Sequence, residues 1–249
     1  MLWCHPAGYG ILKSDSQDDQ PCDFYNNTGF VWGEMLLGWL QVFYKHDDPY
    51  KHRLVLELIY SRDGLNWNRM PSREPVLEVG PDGSWDRTNQ SAATGTPIVV
   101  GDQIYMYYGG DIRYHGPRKG VDLGELCNQV GLGTLRRDGV VSMDATPGGG
   151  VLTTKPLELT SSPAGDGSVE LHVNVISDNG HCQVELLDAA GKPIAGHTKK
   201  ESDDIVQDTV DTDVTWNGEG NIAELVRQPV RLRFHMKNAR LYSFRIAAP

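Results

Sequence analysis

Short apolar or alternating runs bounded by turn residues recur along this chain, and helical periodicity is almost absent. The pattern predicts strands over residues 29–32, 36–44, 53–60, 97–100, 103–108, 129–135 and 140–143. Two stretches, RLVLELIY (53–60) and QIYMYYGG (103–110), are apolar at nearly every position. Such strands need cover on both faces, which a radial stack of small sheets provides. Beyond Gly148, Gly149 and Gly150 the texture changes. Residues 169–176 alternate Val169, Leu171, Val173 and Val175 with Glu170, His172 and Asn174. Residues 230–237 alternate Val230, Leu232, Phe234 and Met236 with Arg231, Arg233, His235 and Lys237. One dry and one wet face predict an antiparallel sandwich.

The first part also repeats itself. A strand ending at Trp32, a Gly33-Glu34 turn and a second strand match a strand ending at Val100, a Gly101-Asp102 turn and a second strand. Arg62-Asp63-Gly64 is answered by Arg137-Asp138-Gly139. Each unit reads strand, hairpin, strand, loop, strand, Asp-Gly turn, strand, which is the pattern of a four-stranded propeller blade. The Asp-Gly pair of YSRDGLNWNR (60–69) is therefore read as a tight turn between outer strands, with Trp67 covering the blade, rather than as a catalytic acid. The expected organisation is all-β: about two blades of a five-bladed-type propeller over residues 1–147, then an antiparallel sandwich over 148–249.

Bulk composition narrows the function. The chain has 249 residues and a net charge of −10, which argues against nucleic acid or an anionic membrane as partner. No apolar run of about 18 residues predicts a membrane span. The start, MLWCHPAGYG, lacks the basic and long apolar regions of a signal peptide, so export would rely on a signal outside this chain. The compartment stays open. The four cysteines, Cys4, Cys22, Cys127 and Cys182, form no C-x-x-C pair. That spacing argues against a cysteine zinc site and allows a Cys4–Cys22 disulfide, with two or more free thiols the preferred reading. Neither a cofactor nor a metal is expected. GLGT at 131–134 falls inside a strand and is no dinucleotide fingerprint, and DDIVQDTVDTD (203–213) lacks calcium-loop spacing and reads as a solvated hairpin.

With these features, the chain resembles the five-bladed β-propeller glycosidases of the arabinanase, invertase and levansucrase type. It is more similar still to bacterial family 32-like glycosyl hydrolases, within the family 32/43-like group. The segments that carry the resemblance are DFYNN (23–27), YSRDGLNWNR (60–69), GPDGSWD (80–86), GDQIYMYYGG (101–110), VGLGTLRRDGVVSMDA (130–145) and RLRFHMKNARLYSF (231–244). They mark family rather than substrate. The resemblance implies three carboxylates on three successive blades, acting as nucleophile or base, transition-state stabiliser and general acid. Five blades need about 300 residues, so two blades cannot carry all three acids. The chain is then the carboxy-terminal part of a longer protein, or its uncovered blade faces pair in a homo-oligomer.

In such a propeller the inner strands deliver groups to an axial pocket, and glycoside hydrolysis needs two carboxyl groups there. The entries to the inner strands, CDFYNN and SWDRTNQS, offer Asp23 and Asp86 as acids, with Tyr25, Asn26 and Arg87 as sugar contacts. Trp85 is a candidate stacking ring, although core packing explains it equally, and plain turn formation competes for Asp23 and Asp86. The loop after MYYGG adds Asp111 as a third acid and His115 as a contact. Glu34 and Glu57 read as solvated. The functional expectation is a glycoside hydrolase-like protein that acts on or binds an oligo- or polysaccharide. The alternative is a non-catalytic glycan-binding or assembly module.

Overall fold

The structure is a computed structural model that describes residues 10–18, 20–48, 51–92, 95–113, 128–158, 167–226 and 228–247. It is all-β, a partial propeller and a sandwich, and its contacts divide the chain into Met1–Leu135 and Arg136–Pro249. No α-helix occurs among the described residues.

The first unit opens with β1 (Cys22–Trp32), β2 (Met35–Tyr44), β3 (Arg53–Ser61) and β4 (Trp67–Arg69), paired in that order as an antiparallel blade. The short β5 (Pro75–Leu77) shares the outer edge of β3 with β4. The second blade starts with β6 (Asn89–Ala92) and β7 (Ile98–Val100), which both pair with β8 (Gln103–Asp111). Together they play the part that β1 plays alone. β9 (Gln129–Arg136) pairs with the other edge of β8. The two hairpin turns match as the sequence repeat predicts. Gly33 and Gly101 hold φ of 57° and 58°, a left-handed conformation that favours glycine over other residues. The blades join where the Leu54 N–H donates to the Thr88 carbonyl at 3.0 Å and the Gln41 side chain donates to the Gln90 carbonyl at 3.0 Å.

The turn at residues 61–66 is held by Asp63, whose carboxylate accepts the Leu65 and Asn66 N–H groups at 2.9 and 2.7 Å. Those bonds hold its pKa well below the usual carboxylate range. Trp67 then donates its indole N–H to the Gly64 carbonyl and packs against the Leu40, Val42, Tyr44, Val55 and Ile59 cluster.

On the same blade lies a buried ionic hub. The Arg69 guanidinium forks onto Glu57, donating from Nε at 3.0 Å and from Nη2 at 2.8 Å to Oε2. Its Nη1 lies 2.7 and 2.9 Å from the two Asp18 oxygens. All three side chains are 2–3% exposed. Tyr44 donates a short hydrogen bond to Glu57, and the Phe24 ring lies 4.9 Å beneath the guanidinium carbon. Asp18 belongs to the segment before β1, which also sets Leu12 against the blade cluster. Residues 10–18 thus help cover this blade. Burial pushes the Cys22 thiol up to about 11, reinforced by the Asp18 charge, so this free thiol is unreactive. Cys4 lies outside the described residues.

The second unit contains β10 (Met143–Ala145), β11 (Gly150–Thr153), β12 (Leu157–Glu158), β13 (Glu170–Ile176), β14 (His181–Asp188), β15 (Asp208–Asp213), β16 (Pro229–Lys237) and β17 (Ala239–Ala247). One sheet runs β10-β17-β13-β15; in the other, β16 pairs with β14 as well as with β11 and β12. The predicted apolar positions of β13 and β16 meet in one core, with Leu171, Val175, Leu232 and Phe234 fully buried.

Five expectations are corrected. Glu57 is not solvated: it is 1% exposed, because Arg69 and Tyr44 supply the partners that make burial tolerable. Of the strand expected at 140–143 only Met143 lies in a strand: the strand there is β10, Met143–Ala145, and it pairs with β17 of the sandwich rather than with a blade. The second Arg-Asp-Gly run therefore closes no blade hairpin; Asp138, at φ 56°, sits in a plain turn where the Gly139 N–H donates to the Arg136 carbonyl. β8 is not covered on both faces, since Tyr107 is 45% exposed. The acidic run 203–213 is a wide loop rather than a tight hairpin: a Ser202–Trp216 antiparallel bridge and the Asp203 N–H on the Thr215 carbonyl close its ends, and its last part is β15, at the sheet edge beside β13.

Removing Arg69 strands two buried carboxylates. Arg69→Met is expected to cost about 3–5 kcal/mol in urea unfolding, and much less in a Glu57→Gln, Asp18→Asn background. Equal costs in both backgrounds would show that the hub is not coupled.

Acid should act through Asp18. Burial alone would raise its pKa, but the Asp15 N–H and the Arg69 hydrogen bond and charge bring it below the ordinary value. Its stabilisation is therefore present above the unfolded pKa and is lost as pH falls through the folded one, from about pH 5 downward. Asp18→Asn should flatten this limb in denaturant midpoints taken at descending pH.

Candidate functional site

A cavity of about 480 Å³ opens where β6, β8 and β9 converge, lined by Leu54, Asn89–Ser91, Gly109–Asp111, Arg113 and Asn128–Val130. Its walls follow from the pairing of β6 with β8, which sets Asn89 opposite Asp111, Gln90 opposite Gly110 and Ser91 opposite Gly109. A side chain at Gly109 would come within 2.6 Å of the Ser91 hydroxyl, so glycine keeps this wall low.

The turn beyond β8 is held from several directions. Asp111 accepts the Arg113 backbone N–H at 2.9 Å and the Arg113 Nε–H at 2.8 Å, and its other oxygen pairs with Nη2. The Thr88 hydroxyl lies 2.8 and 2.7 Å from the Asp111 and Arg113 carbonyls. The Asn89 amide donates to the Arg113 carbonyl. Two buried acceptors, Asn89 Oδ1 and Gln90 Oε1, find no hydrogen-bond donor among the described residues. Such atoms are uncommon in a folded interior and point to water or ligand.

The candidate residues are dispersed. Asp23, on β1, is exposed and pairs with Lys45 at 2.7 Å. Tyr25 lays its ring against Phe43, centroids 5.3 Å apart. Asn26 sits at the β1 bulge and accepts the Asn27 N–H at 2.8 Å. Asp86 is 8% exposed and accepts from the Tyr108 hydroxyl at 2.7 Å and from Ser84 at 2.8 Å. Burial, then the Asp86 bond and charge, pushes the Tyr108 hydroxyl up to about 12. Trp85 stacks on Tyr108 at 5.5 Å, and side chains at Gly110 or Gly131 would meet its ring at 2.4 and 2.7 Å. Arg87 donates to the Ile112 carbonyl at 3.3 Å.

Side chains alternate along a strand. The Asp86 partner Tyr108 and the cavity residue Asp111 therefore lie on opposite faces of β8. Among the candidate acids, Asp111 alone lines the cavity; His115 lies outside the described residues. The sequence reading passed over Asn89, Gln90, Ser91, Asn128 and Gln129 as site residues. The run Thr88-Asn89-Gln90-Ser91 was the available signal, since uncharged polar residues on a covered inner strand need partners.

No family profile matches this chain, and no curated protein sequence matches it. Among solved structures it is similar over part of its length to a glycoside hydrolase (19% identity, TM-score 0.39, covering 52% of this chain and 37% of the other). It is also similar to a glycosyl hydrolase from Bacteroides ovatus (14% identity, TM-score 0.32, 47% and 29%). A third similar structure is an N-acetylgalactosamine deacetylase from F. plautii in complex with blood group B trisaccharide (26% identity, TM-score 0.29, 41% and 26%). The chain spans between 26% and 37% of the length of these structures.

Proposed function

We propose that this chain binds a carbohydrate in the cavity between β6, β8 and β9, as a glycoside hydrolase-type propeller segment without a full set of catalytic acids. The observation that supports this reading is the lining itself. Asp111 and Arg113 present a charged fork, flanked by the amides of Asn89, Asn128 and Gln129. Planar groups with paired donors and acceptors suit the adjacent hydroxyls of a sugar ring. Hydrolysis would need a second carboxyl about 5–5.5 Å away for retention or about 6.5–9.5 Å for inversion. Asp111 is the single carboxylate among the described lining residues, which favours binding over turnover.

The test is a glycan array run beside an aryl-glycoside turnover screen. Asp111→Asn, near-isosteric, is expected to weaken the best glycan at least about tenfold, the scale of a charged hydrogen bond, while Asp23→Asn leaves binding intact. A folded Asp111→Asn protein that binds like wild type would sink the proposal. Turnover lost in Asp111→Asn would instead make the site a hydrolase centre.

The same reading includes self-association. Ile98, Val100, Tyr107, Val130 and Leu132 are 45–76% exposed. Ile98 pairs with Tyr105, which puts it on the Tyr107 side of β8. Gly131 and Gly133 lie against Tyr108 and Met106 on the other side, which turns Val130 and Leu132 toward Tyr107. This apolar face suits a second copy meeting it across a two-fold axis. Sedimentation is expected to show a concentration-dependent dimer that Ile98→Asp, outside the cavity lining, dissolves; a compact monomer at micromolar concentration excludes it.

A further inference from the structure

The outward face of the β13–β15–β17 sheet carries a histidine whose two ring nitrogens meet different surroundings. His172, 8% exposed, lies between Asp213 on β15 and Arg245 on β17 in the strand register. Its Nδ1 is 2.8 Å from Asp213 Oδ1 and 3.4 Å from Asp211 Oδ1. Nδ1 is thus turned to Asp213, and Nε2 is turned to the other side of the ring. That atom is buried, makes no hydrogen bond, and faces Glu170 Oε2 across 3.7 Å. Glu170 stands two residues before His172 on β13, so both side chains leave the same face.

Nε2 and Glu170 Oε2, 3.7 Å apart, are too distant for a hydrogen bond, and the gap between them suits a cation. Two ligands of a tetrahedral zinc ion, with bonds of about 2.0–2.2 Å, stand roughly 3.3–3.6 Å apart. One ligand atom each from Glu170, His172 and Asp213 already lies within 4.8 Å of the others. Two nearby arginines turn to Asp211. Arg245 forks onto Asp211 at 3.1 and 2.8 Å, and Arg137 approaches the same carboxylate at 3.8 Å. Asp211 is thereby neutralised while Glu170 and Asp213 are left to the histidine.

We propose that Glu170 and His172 bind a divalent zinc-class cation on the sandwich through Oε2 and Nε2, with Asp213 orienting the imidazole through Nδ1. A donor set of one imidazole and one carboxylate suits zinc rather than calcium or magnesium, which prefer oxygen alone. A carboxylate behind a metal-bound histidine is the usual orienting partner. This site is separate from the carbohydrate cavity, and it contains no cysteine.

The experiment is calorimetric titration of chelator-treated full chain with zinc chloride at neutral pH, with histidine-selective 15N NMR. One equivalent of zinc is expected to bind and to move the His172 Nε2 resonance. His172→Ala should abolish that equivalent, and Glu170→Gln should weaken it at least tenfold. Asp213→Asn should weaken it about tenfold, as loss of an orienting carboxylate does. Circular dichroism checks the fold of each variant. Should His172→Ala fail to fold, the Glu170 and Asp213 substitutions, at more exposed side chains, decide the matter alone. Zinc binding unchanged in the variants, or a His172 doubly protonated at neutral pH and indifferent to zinc, overturns the proposal in favour of a plain imidazolium ion pair.

Discussion

The first blade depends on an arginine with no water to fall back on. Arg69 sits on the outermost strand, yet its guanidinium is turned inward and is 2% exposed. Burying a charge costs several kcal/mol unless geometry and additional hydrogen bonds compensate. Compensation here comes from Glu57 on β3 and Asp18 in the leading segment, with Tyr44 on β2 completing the carboxylate shell. One side chain thus ties three strands and the covering segment together. Without that segment the guanidinium would keep Glu57 but lose the charge on its other edge.

The same economy explains the distribution of acids in the first unit. Glu57 belongs to the hub, Asp63 to a turn, Asp86 to Tyr108, and Asp23 to a surface pair with Lys45. Asp111 is placed differently: it reaches the cavity while held by the arginine two residues on. A propeller glycosidase works by crowding carboxylates round one bond, so that one stays protonated and another stays charged. Here the described carboxylates are spread over separate tasks. Side-chain amides and one carboxylate–guanidinium pair line the β6–β8–β9 corner.

The sandwich follows a simpler rule. Alternation on β13 and β16 places Leu171, Val173, Leu232 and Phe234 in the core, and leaves His172, Asn174, Arg233 and His235 outside. The outer positions still acquire structure. Glu185, 6% exposed, is shared by Arg233 and His235, and burial lowers the His235 pKa against the opposing pull of Glu185. His172 meets carboxylates from two strands, with an unbonded nitrogen left over. Strand register makes these clusters, because residues far apart in the chain become cross-strand neighbours.

The sequence by itself determined what depends on local chemistry and period. Glycine at positions 33 and 101, alternation along 169–176 and 230–237, and Asp63 in its turn were legible because backbone conformation and two-residue periodicity act within a few residues. The likeness of the two blades was legible for the same reason. Only the tertiary structure decided which carboxylates meet solvent. Glu57 reads as a surface acid until Arg69, twelve residues later, folds back onto it. Nor could the second Arg-Asp-Gly run reveal that its following strand would join β17, a hundred residues on, since pairing partners compete over the whole chain. The cavity shares that origin. Asn89 and Asp111 are ordinary loop-forming residues in sequence, and the strand register alone brings them to one cavity.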